Sequence, residues 1–156
     1  AKIISNIYSF TLLCYTIYMR NPAYTYAQTC VYKINYHIIW CVKYRKKILT
    51  PEIEDFLKKE LSRIAAEKGF SIEACEVGEA DHVHCFVSAP TTIPPCQIVR
   101  YLKGISGRHL FLAFPWIKKE LWKGHLWNDS YFLETVGSTN ETAVRSYIER
   151  QKTHQR

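Results

Sequence analysis

Acidic residues are missing from the first 50 positions, which carry 7 basic side chains and no Asp or Glu. Residues 51–90 carry 4 basic and 9 acidic side chains, and residues 91–156 carry 10 and 5. Acidic charge is therefore concentrated in one middle segment between two basic segments, and the whole chain has a net charge of +7. A basic chain with 11 Tyr, 7 Phe and 4 Trp favours a polyanionic partner, either a nucleic acid or a membrane surface.

Glycine and proline are also scarce, with 6 of each in 156 residues. This scarcity excludes collagen-like and low-complexity chains. The sequence shows no internal repeat and no long linker, and its length is typical of one domain. With 47% hydrophobic and 22% charged residues, the chain has enough apolar material for a core and no bias towards disorder.

No two of the six cysteines stand in C-x-x-C spacing, which argues against a zinc finger or a dithiol redox site. We expect most of these cysteines to be reduced thiols in the core of a cytoplasmic protein. A glycine-rich phosphate-binding loop is also missing, so no nucleotide cofactor is expected.

Methionine occurs once, as Met19. Residues 3–18 before it are mostly apolar, but they are too short and too polar to span a bilayer. A signal-peptide core is the competing interpretation, although no small-residue cleavage site follows it cleanly. We therefore expect residues 1–28 to be an N-terminal extension, of which residues 1–18 are upstream or vector-derived. Residues 29–156 are expected to form a single domain without membrane contact.

The order of elements predicts the fold. Apolar residues alternate along residues 32–44, which predicts a long strand with one buried face. Thr50 and Pro51 begin a helix and Gly69 ends it. Further strands are predicted at residues 70–77, 82–89 and 126–136, with helices at residues 94–114 and 138–152, the last opened by an S-x-x-E capping box. This order indicates an α+β fold, a ferredoxin-like βαββαβ antiparallel sheet with two helices on one face and an additional C-terminal helix.

The sequence Asp81-His82-Val83-His84 stands at the head of the third predicted strand. Alternate strand residues point to the same face, so His82 and His84 can present two imidazoles to one metal ion. The alternative is two polar residues on a solvated sheet face.

A metal site needs further ligands, and the last helix offers one. Tyr147 and Gln151 are four residues apart and share a helical face. The amide oxygen of Gln151 can complete a His-His-Gln set, with the Tyr147 hydroxyl one turn away. The alternative is a core tyrosine and a glutamine at the edge of an apolar stripe.

Together these motifs resemble the HUH single-tyrosine transposases of the smallest prokaryotic insertion sequences. Besides the H-V-H motif and the Tyr147–Gln151 pair, the resemblance rests on YHIIWCVKYR at residues 36–45 and LWNDSYF at residues 126–132. It covers about residues 29–152, in the family's order and spacing. An H-x-H motif alone is common, but the joint pattern is specific.

The resemblance implies a transposase that cleaves and rejoins single-stranded DNA at insertion-sequence ends. Tyr147 would be the nucleophile that forms a 5′-phosphotyrosine, and this helix would therefore carry the catalytic residue. His82, His84 and Gln151 would bind one divalent ion, Mg²⁺ or Mn²⁺, and Asp81 would orient an imidazole. The family also implies hairpin recognition and a homodimer with shared active sites, with a hinge near Gly137.

Contacts with DNA phosphates are expected from two basic groups, after the first strand and on the second helix. They are Lys43, Arg45, Lys46 and Lys47, and Arg100, Lys103 and Arg108. Tyr44 is expected to stack on an unpaired base, although each of these residues could equally be a solvated surface side chain. Two other functions stay open: a ferredoxin-like nucleic-acid-binding protein without catalysis, and an HUH nuclease that processes repeated palindromic sequences.

Overall fold

The computed structural model describes residues 21–121 and 124–151. Contacts divide the chain into two units, residues 1–33 and residues 34–156. In the first unit, β1 (Thr25–Tyr26) and β2 (Val31–Tyr32) form an antiparallel hairpin. The predicted upstream segment, residues 1–18, and the predicted helix end at Lys152 lie outside the described residues.

The second unit contains the larger sheet and the helices that cover it. Its strands are β3 (Asn35–Cys41), β4 (Ser71–Gly78), β5 (His82–Ser88) and β6 (Phe132–Thr135). Its helices are α1 (Pro51–Lys68), α2 (Pro95–Ala113), α3 (Ile117–Glu120) and α4 (Glu141–Arg150), with a 3-10 turn at Lys43–Arg45. None of the helices in the described residues is both long enough and apolar enough to cross a bilayer.

Strands β3 to β6 pair antiparallel in the order β4-β5-β3-β6. In chain order this is 2-3-1-4, the order of a ferredoxin-like sheet, so the predicted fold class is confirmed. Helix α1 begins and ends where the sequence predicts, with Pro51 in the first turn and Gly69 in the left-handed conformation (φ +81°) after its last residue.

The two faces of the sheet bury different clusters. Side chains such as Ile38, Trp40 and Val83 form the main core with the apolar stripes of α1 and α2. On the opposite face, Ile148 of α4 packs with Phe86 and Val136 in a smaller cluster. The C-terminal helix therefore covers the face that points away from α1 and α2, and this is the face that carries the histidines of β5.

Four sequence predictions are wrong in detail. The strand expected over residues 32–44 is limited to Asn35–Cys41, since Tyr32 belongs to β2 and residues 43–45 form a 3-10 turn. The strand expected over residues 126–136 is limited to Phe132–Thr135, with a single bridge between Val42 and Trp127. Helix α4 begins at Glu141 after Asn140, so Ser138 does not cap it. Among the described cysteines, Cys85 is buried but Cys30 and Cys96 are exposed, so the expected core role does not hold for those two.

Candidate active site

The strand alternation of β5 places His82 and His84 together. Val83 and Cys85 point into the core and are fully buried, so the two histidines project from the other face. Their ring centroids are 5.0 Å apart. Gly78 lies opposite His82 in the β4–β5 register, and a Cβ atom on Gly78 would lie 2.2 Å from Nε2 of His82. The absence of a side chain at Gly78 thus creates the space that the His82 ring fills.

His84 is the more deeply buried of the two histidines, with 2% of its surface exposed. Burial, reinforced by the neighbouring His82 and His37, lowers the pKa of His84 to about 4. The imidazole is therefore neutral at physiological pH. Within the described residues its Nε2 atom is buried and has no hydrogen-bond partner, so no protein group competes with a ligand there.

The donor set fits a divalent cation, since neutral imidazole nitrogens are common metal ligands. In the described ranges, 21–121 and 124–151, no group of three His, Cys, Asp or Glu residues is arranged to hold a metal ion. The histidine pair therefore needs an oxygen ligand of another kind, such as an amide oxygen or a phosphate oxygen of a substrate.

Asp81 fixes one side of this pair. It is almost fully buried, and its Oδ1 lies 2.5 Å from Nδ1 of His82. Arg45 donates to both carboxylate oxygens of Asp81, at 3.0 Å and 3.3 Å. Burial alone would raise the pKa of Asp81, but the hydrogen bonds from Arg45 and His82 outweigh it and hold the pKa below its usual value. Asp81 is thus an ionised acceptor that can orient the His82 ring.

Helix α4 brings Tyr147 to the same face of the sheet. The Tyr147 ring lies 5.6 Å from the ring of His84 and 6.0 Å from that of His37, edge-on to both. Its side chain is 45% exposed, and it lines an open cleft of about 440 Å³. The other residues that line this cleft are Ile39, Trp40, Cys41, Arg45, His82, His84, Ser130, Tyr131 and Phe132. One chain therefore places its tyrosine beside its own histidines.

Gln151 lies directly after α4, one turn beyond Tyr147. Its backbone N–H donates to the carbonyl of Ile148 at 3.0 Å, and the residue is partly exposed. Among the described residues, it is not one of those that line the cleft of Tyr147 and the histidines. The structure thus brings together His82, His84 and Tyr147, with Asp81 directly behind His82, and leaves Gln151 at the helix end.

The basic residues proposed to bind DNA fall into two groups. Four are engaged within the protein: Arg45 with Asp81, Lys43 with Asp129, Lys46 with Glu120, and Lys103 with three backbone carbonyls. Lys47, Arg100 and Arg108 are exposed. Tyr44 is 59% exposed and has a positive φ of 61°.

Sequence reasoning missed His37 and Glu134. The alternation along β3 placed His37 on the solvated side, yet it is only 4% exposed, because that face of the sheet lies under α4. The β3–β6 register pairs His37 with Glu134, and their side chains are hydrogen-bonded at 3.1 Å. The signal that could have identified this site is the presence of a histidine inside a strand whose other face forms the core.

A ferredoxin-like sheet with an H-x-H pair facing a tyrosine on a C-terminal helix defines the class of HUH single-tyrosine enzymes. The family model for IS200-like transposases matches residues 30–151. The chain therefore belongs to the IS200-like transposase family, and it is an enzyme of that family.

Relatives agree with this assignment. The chain is 44% identical over 121 residues to the ISDra2 transposase TnpA of Deinococcus radiodurans, covering 78% of this chain and 86% of the relative. It is 28% identical over 116 residues to the transposase of insertion sequence IS200 from Salmonella typhimurium, covering 74% and 75%.

Two solved structures have the same fold. A crystal structure from Deinococcus radiodurans that is assigned to a transposase has a TM-score of 0.68 and 39% identity, covering 81% of this chain and 97% of that one. A REP-associated tyrosine transposase, solved bound to a REP hairpin, has a TM-score of 0.59 and 14% identity, covering 83% and 73%. The second likeness concerns the fold alone.

Proposed function

We propose that the protein cleaves and rejoins single-stranded DNA at insertion-sequence ends through a covalent 5′-phosphotyrosine at Tyr147. The observation that carries the proposal is the position of Tyr147, 5.6 Å from a neutral, buried His84 in an open cleft. A phenol is a weak nucleophile until it is activated. A partly exposed tyrosine beside two imidazoles that are free to bind a cation is the arrangement that such activation requires.

The proposed reaction consumes no cofactor, because each bond that breaks is matched by a bond that forms. The Tyr147 oxygen attacks the phosphorus, the bond from phosphorus to the 3′-oxygen breaks, and the phenol proton lost is matched by one gained at the free 3′-OH. The new phosphotyrosine ester conserves the free energy of the broken phosphodiester. A 3′-OH that attacks this ester restores a DNA strand and releases the phenol, so no nucleoside triphosphate is needed.

In this proposal His82, His84 and Gln151 bind one divalent ion, Mg²⁺ or Mn²⁺. Such an ion, when bound, polarises the scissile phosphate and stabilises the charge that develops on its oxygens. The support for the histidines is the orphaned Nε2 of His84 and the space over Gly78 that His82 fills. Gln151 requires a shift of the helix end or of its side chain, because it does not line the cleft as described.

DNA has two separate sets of candidate contacts, the aromatic residues of the cleft and the exposed basic residues of α2. Tyr131 and Phe132 line it and are 45% and 51% exposed, so their rings can stack on unpaired bases. The exposed guanidinium groups of Arg100 and Arg108 on α2 are available for the phosphates of a hairpin stem. The structurally similar REP-associated transposase is bound to a hairpin, which supports hairpin ends as substrates here.

We also propose a homodimer with shared active sites, in which the α4 helices exchange between subunits about Gly137. Residues 136–140 connect β6 to α4 and give the helix a short tether that such an exchange would use. The insertion-sequence substrate is favoured over repeated palindromic sequences because the relative with 44% identity is an insertion-sequence transposase.

The experiment is a covalent capture assay. The protein is incubated with labelled single-stranded DNA that carries a hairpin-flanked element end, with Mg²⁺ or Mn²⁺, and a covalent protein–DNA species is measured. Tyr147→Phe is expected to abolish this species. The matched control Tyr101→Phe loses the same hydroxyl on α2, away from the cleft, and is expected to react like the wild type. A Tyr147→Phe variant that still forms the adduct would refute the proposal.

A second variant separates the metal site from DNA binding. His82→Ala is expected to abolish cleavage while hairpin binding in a gel shift stays nearly at the wild-type level. Loss of hairpin binding in this variant would show that His82 is structural instead.

A further inference from the structure

His37 is a buried polar residue that the proposed reaction does not use. It lies in the middle of β3, on the face of the sheet that carries the catalytic cleft, and only 4% of its surface is exposed. Buried polar side chains are retained where they are hydrogen-bonded, because an unpaired one is costly. His37 has two such partners, Glu134 on β6 and His84 on β5.

The hydrogen bonds are donated in one direction, from His84 through His37 to Glu134. The Glu134 carboxylate can only accept, so Nδ1 of His37, 3.1 Å from Oε1, must donate. In a neutral imidazole the other nitrogen is then an acceptor. Nε2 of His37, 3.3 Å from Nδ1 of His84, therefore accepts a hydrogen bond from Nδ1–H of His84. The two rings are also nearly parallel, with centroids 5.5 Å apart, so the contact is a packed one.

This direction determines which nitrogen of His84 carries the proton. With the proton on Nδ1, the lone pair of His84 is on Nε2, which is the buried atom that has no hydrogen-bond partner among the described residues. His82 is oriented in the same way, but its carboxylate partner is in direct contact with it. Nδ1 of His82 contacts Oδ1 of Asp81 directly, so its Nε2 also carries the lone pair.

We propose that Glu134 and His37 form a relay that holds His84 in the Nδ1–H tautomer and presents its Nε2 to the metal ion. This inference rests on the proposed function, and it assigns to His37 and Glu134 the role of positioning residues. Residues that orient a metal-ligating histidine through its second nitrogen typically change metal affinity by 10- to 100-fold when they are replaced. The two ligands thus depend on two different carboxylates, one in contact and one reached through an imidazole.

The relay also links the edge strand to the site. Glu134 is on β6, a strand of four residues that pairs only with β3 in the described structure, and it lies opposite His37 in that register. The Tyr147 ring is edge-on to His37 as well as to His84. His37 therefore contacts the group that orients it, the ligand that it orients and the ring of the nucleophile.

The first test needs no metal. Long-range ¹H–¹⁵N spectra of the metal-free wild type distinguish the imidazole tautomers, and we expect the Nδ1–H form for both His37 and His84. An Nε2–H tautomer at His84 would overturn the relay. Because this measurement uses the wild type, it stands even if a His37 variant fails to fold.

The second test titrates Mn²⁺ and follows the free ion by electron paramagnetic resonance. His37→Leu is expected to weaken binding about 10- to 100-fold. His37→Gln is expected to restore much of it, because the glutamine oxygen can accept from Nδ1–H of His84. The control Asn35→Leu replaces another buried polar residue on the same face of β3 and should bind like the wild type. Equal affinity in His37→Leu and the wild type would contradict the relay.

The two proposals fail in different ways. If the wild type binds no Mn²⁺ that depends on His82, the metal site itself is wrong. The tautomer spectra still decide whether Glu134 and His37 orient His84, since they are recorded without an ion.

Discussion

Gly78→Ala is the substitution whose effect on the site can be worked out most directly. The new Cβ atom would lie 2.2 Å from Nε2 and 2.5 Å from Cε1 of His82, whereas ordinary contact begins at about 3.4 Å. The His82 ring must therefore retreat by about 1.2 Å, the difference between the two distances. Its Nδ1 atom cannot keep the 2.5 Å contact with Asp81 in doing so.

A displacement of this size has a large effect on a reaction and a small one on folding. Misplacement of a reacting group by about 1 Å costs on the order of 100-fold in rate, and we expect that loss in the formation of the covalent adduct. The ring of His82 borders the open cleft and can swing into it, so the cost in stability should stay within about 1–3 kcal/mol. Hairpin affinity should not change.

The assay compares adduct formation, hairpin gel shift and melting temperature for four variants: Gly78→Ala, Gly104→Ala, His82→Ala and the double variant of Gly78→Ala with His82→Ala. Gly104→Ala is the control, because a Cβ at this exposed position of α2 would meet no atom within 4 Å. In the His82→Ala background the ring is gone, so adding Gly78→Ala should no longer lower the melting temperature. Wild-type adduct formation by Gly78→Ala, or an equal loss of stability with and without the His82 ring, would refute this reasoning.

Three further predictions concern the rest of the molecule. Lys103→Met should lower the melting temperature without altering the salt dependence of hairpin binding, because Nζ of Lys103 contacts three carbonyls of residues 128–130. Arg108→Ala should leave the melting temperature unchanged and reduce the salt slope of hairpin binding by about 1. Tyr44→Gly should keep or raise the melting temperature, since it relieves a positive φ, while single-stranded DNA affinity falls by the roughly 1–3 kcal/mol of one stacked base. Glu60→Gln should lower the melting temperature by a few degrees at neutral pH. Hydrogen bonds from Arg63, and then from His109, lower the pKa of Glu60 against the effect of burial. The difference in melting temperature between variant and wild type should therefore close as the pH falls below the ordinary Glu pKa of about 4.5. A difference that widens in acid would contradict this.

The sequence was sufficient wherever a short-range rule decides the outcome. Strand alternation placed His82 and His84 on one face and Val83 on the other because successive side chains of a strand point to opposite sides. Pro51 and Gly69 marked the ends of α1 because proline suits the first turn and glycine tolerates the left-handed conformation. The fold class followed from the order of such elements.

The sequence was not sufficient where a distant element decides. His37 is buried because its face of the sheet lies under α4, which follows about 100 residues later along the chain. Strand β6 begins only at Phe132, and the carbonyls of residues 128–130 before it accept from Nζ of Lys103 on α2 and do not join the ladder of β3. Neither contact has a signature in the local pattern. The roles of Gly78 and Glu134 likewise appear only once the register of the sheet is known.

Strand β5 serves the core on one side and the chemistry on the other, and this restricts how such a protein can evolve. A slip of β5 by one residue against its neighbouring strands would turn Val83 and Cys85 towards the cleft and both imidazoles towards α1 and α2. Such a slip is expected to remove the core packing of β5 and its histidine pair together. Extra residues in the turn between β4 and β5 would leave the register of β5 intact, so the chain length can change there while the alternation of side chains within β5 cannot.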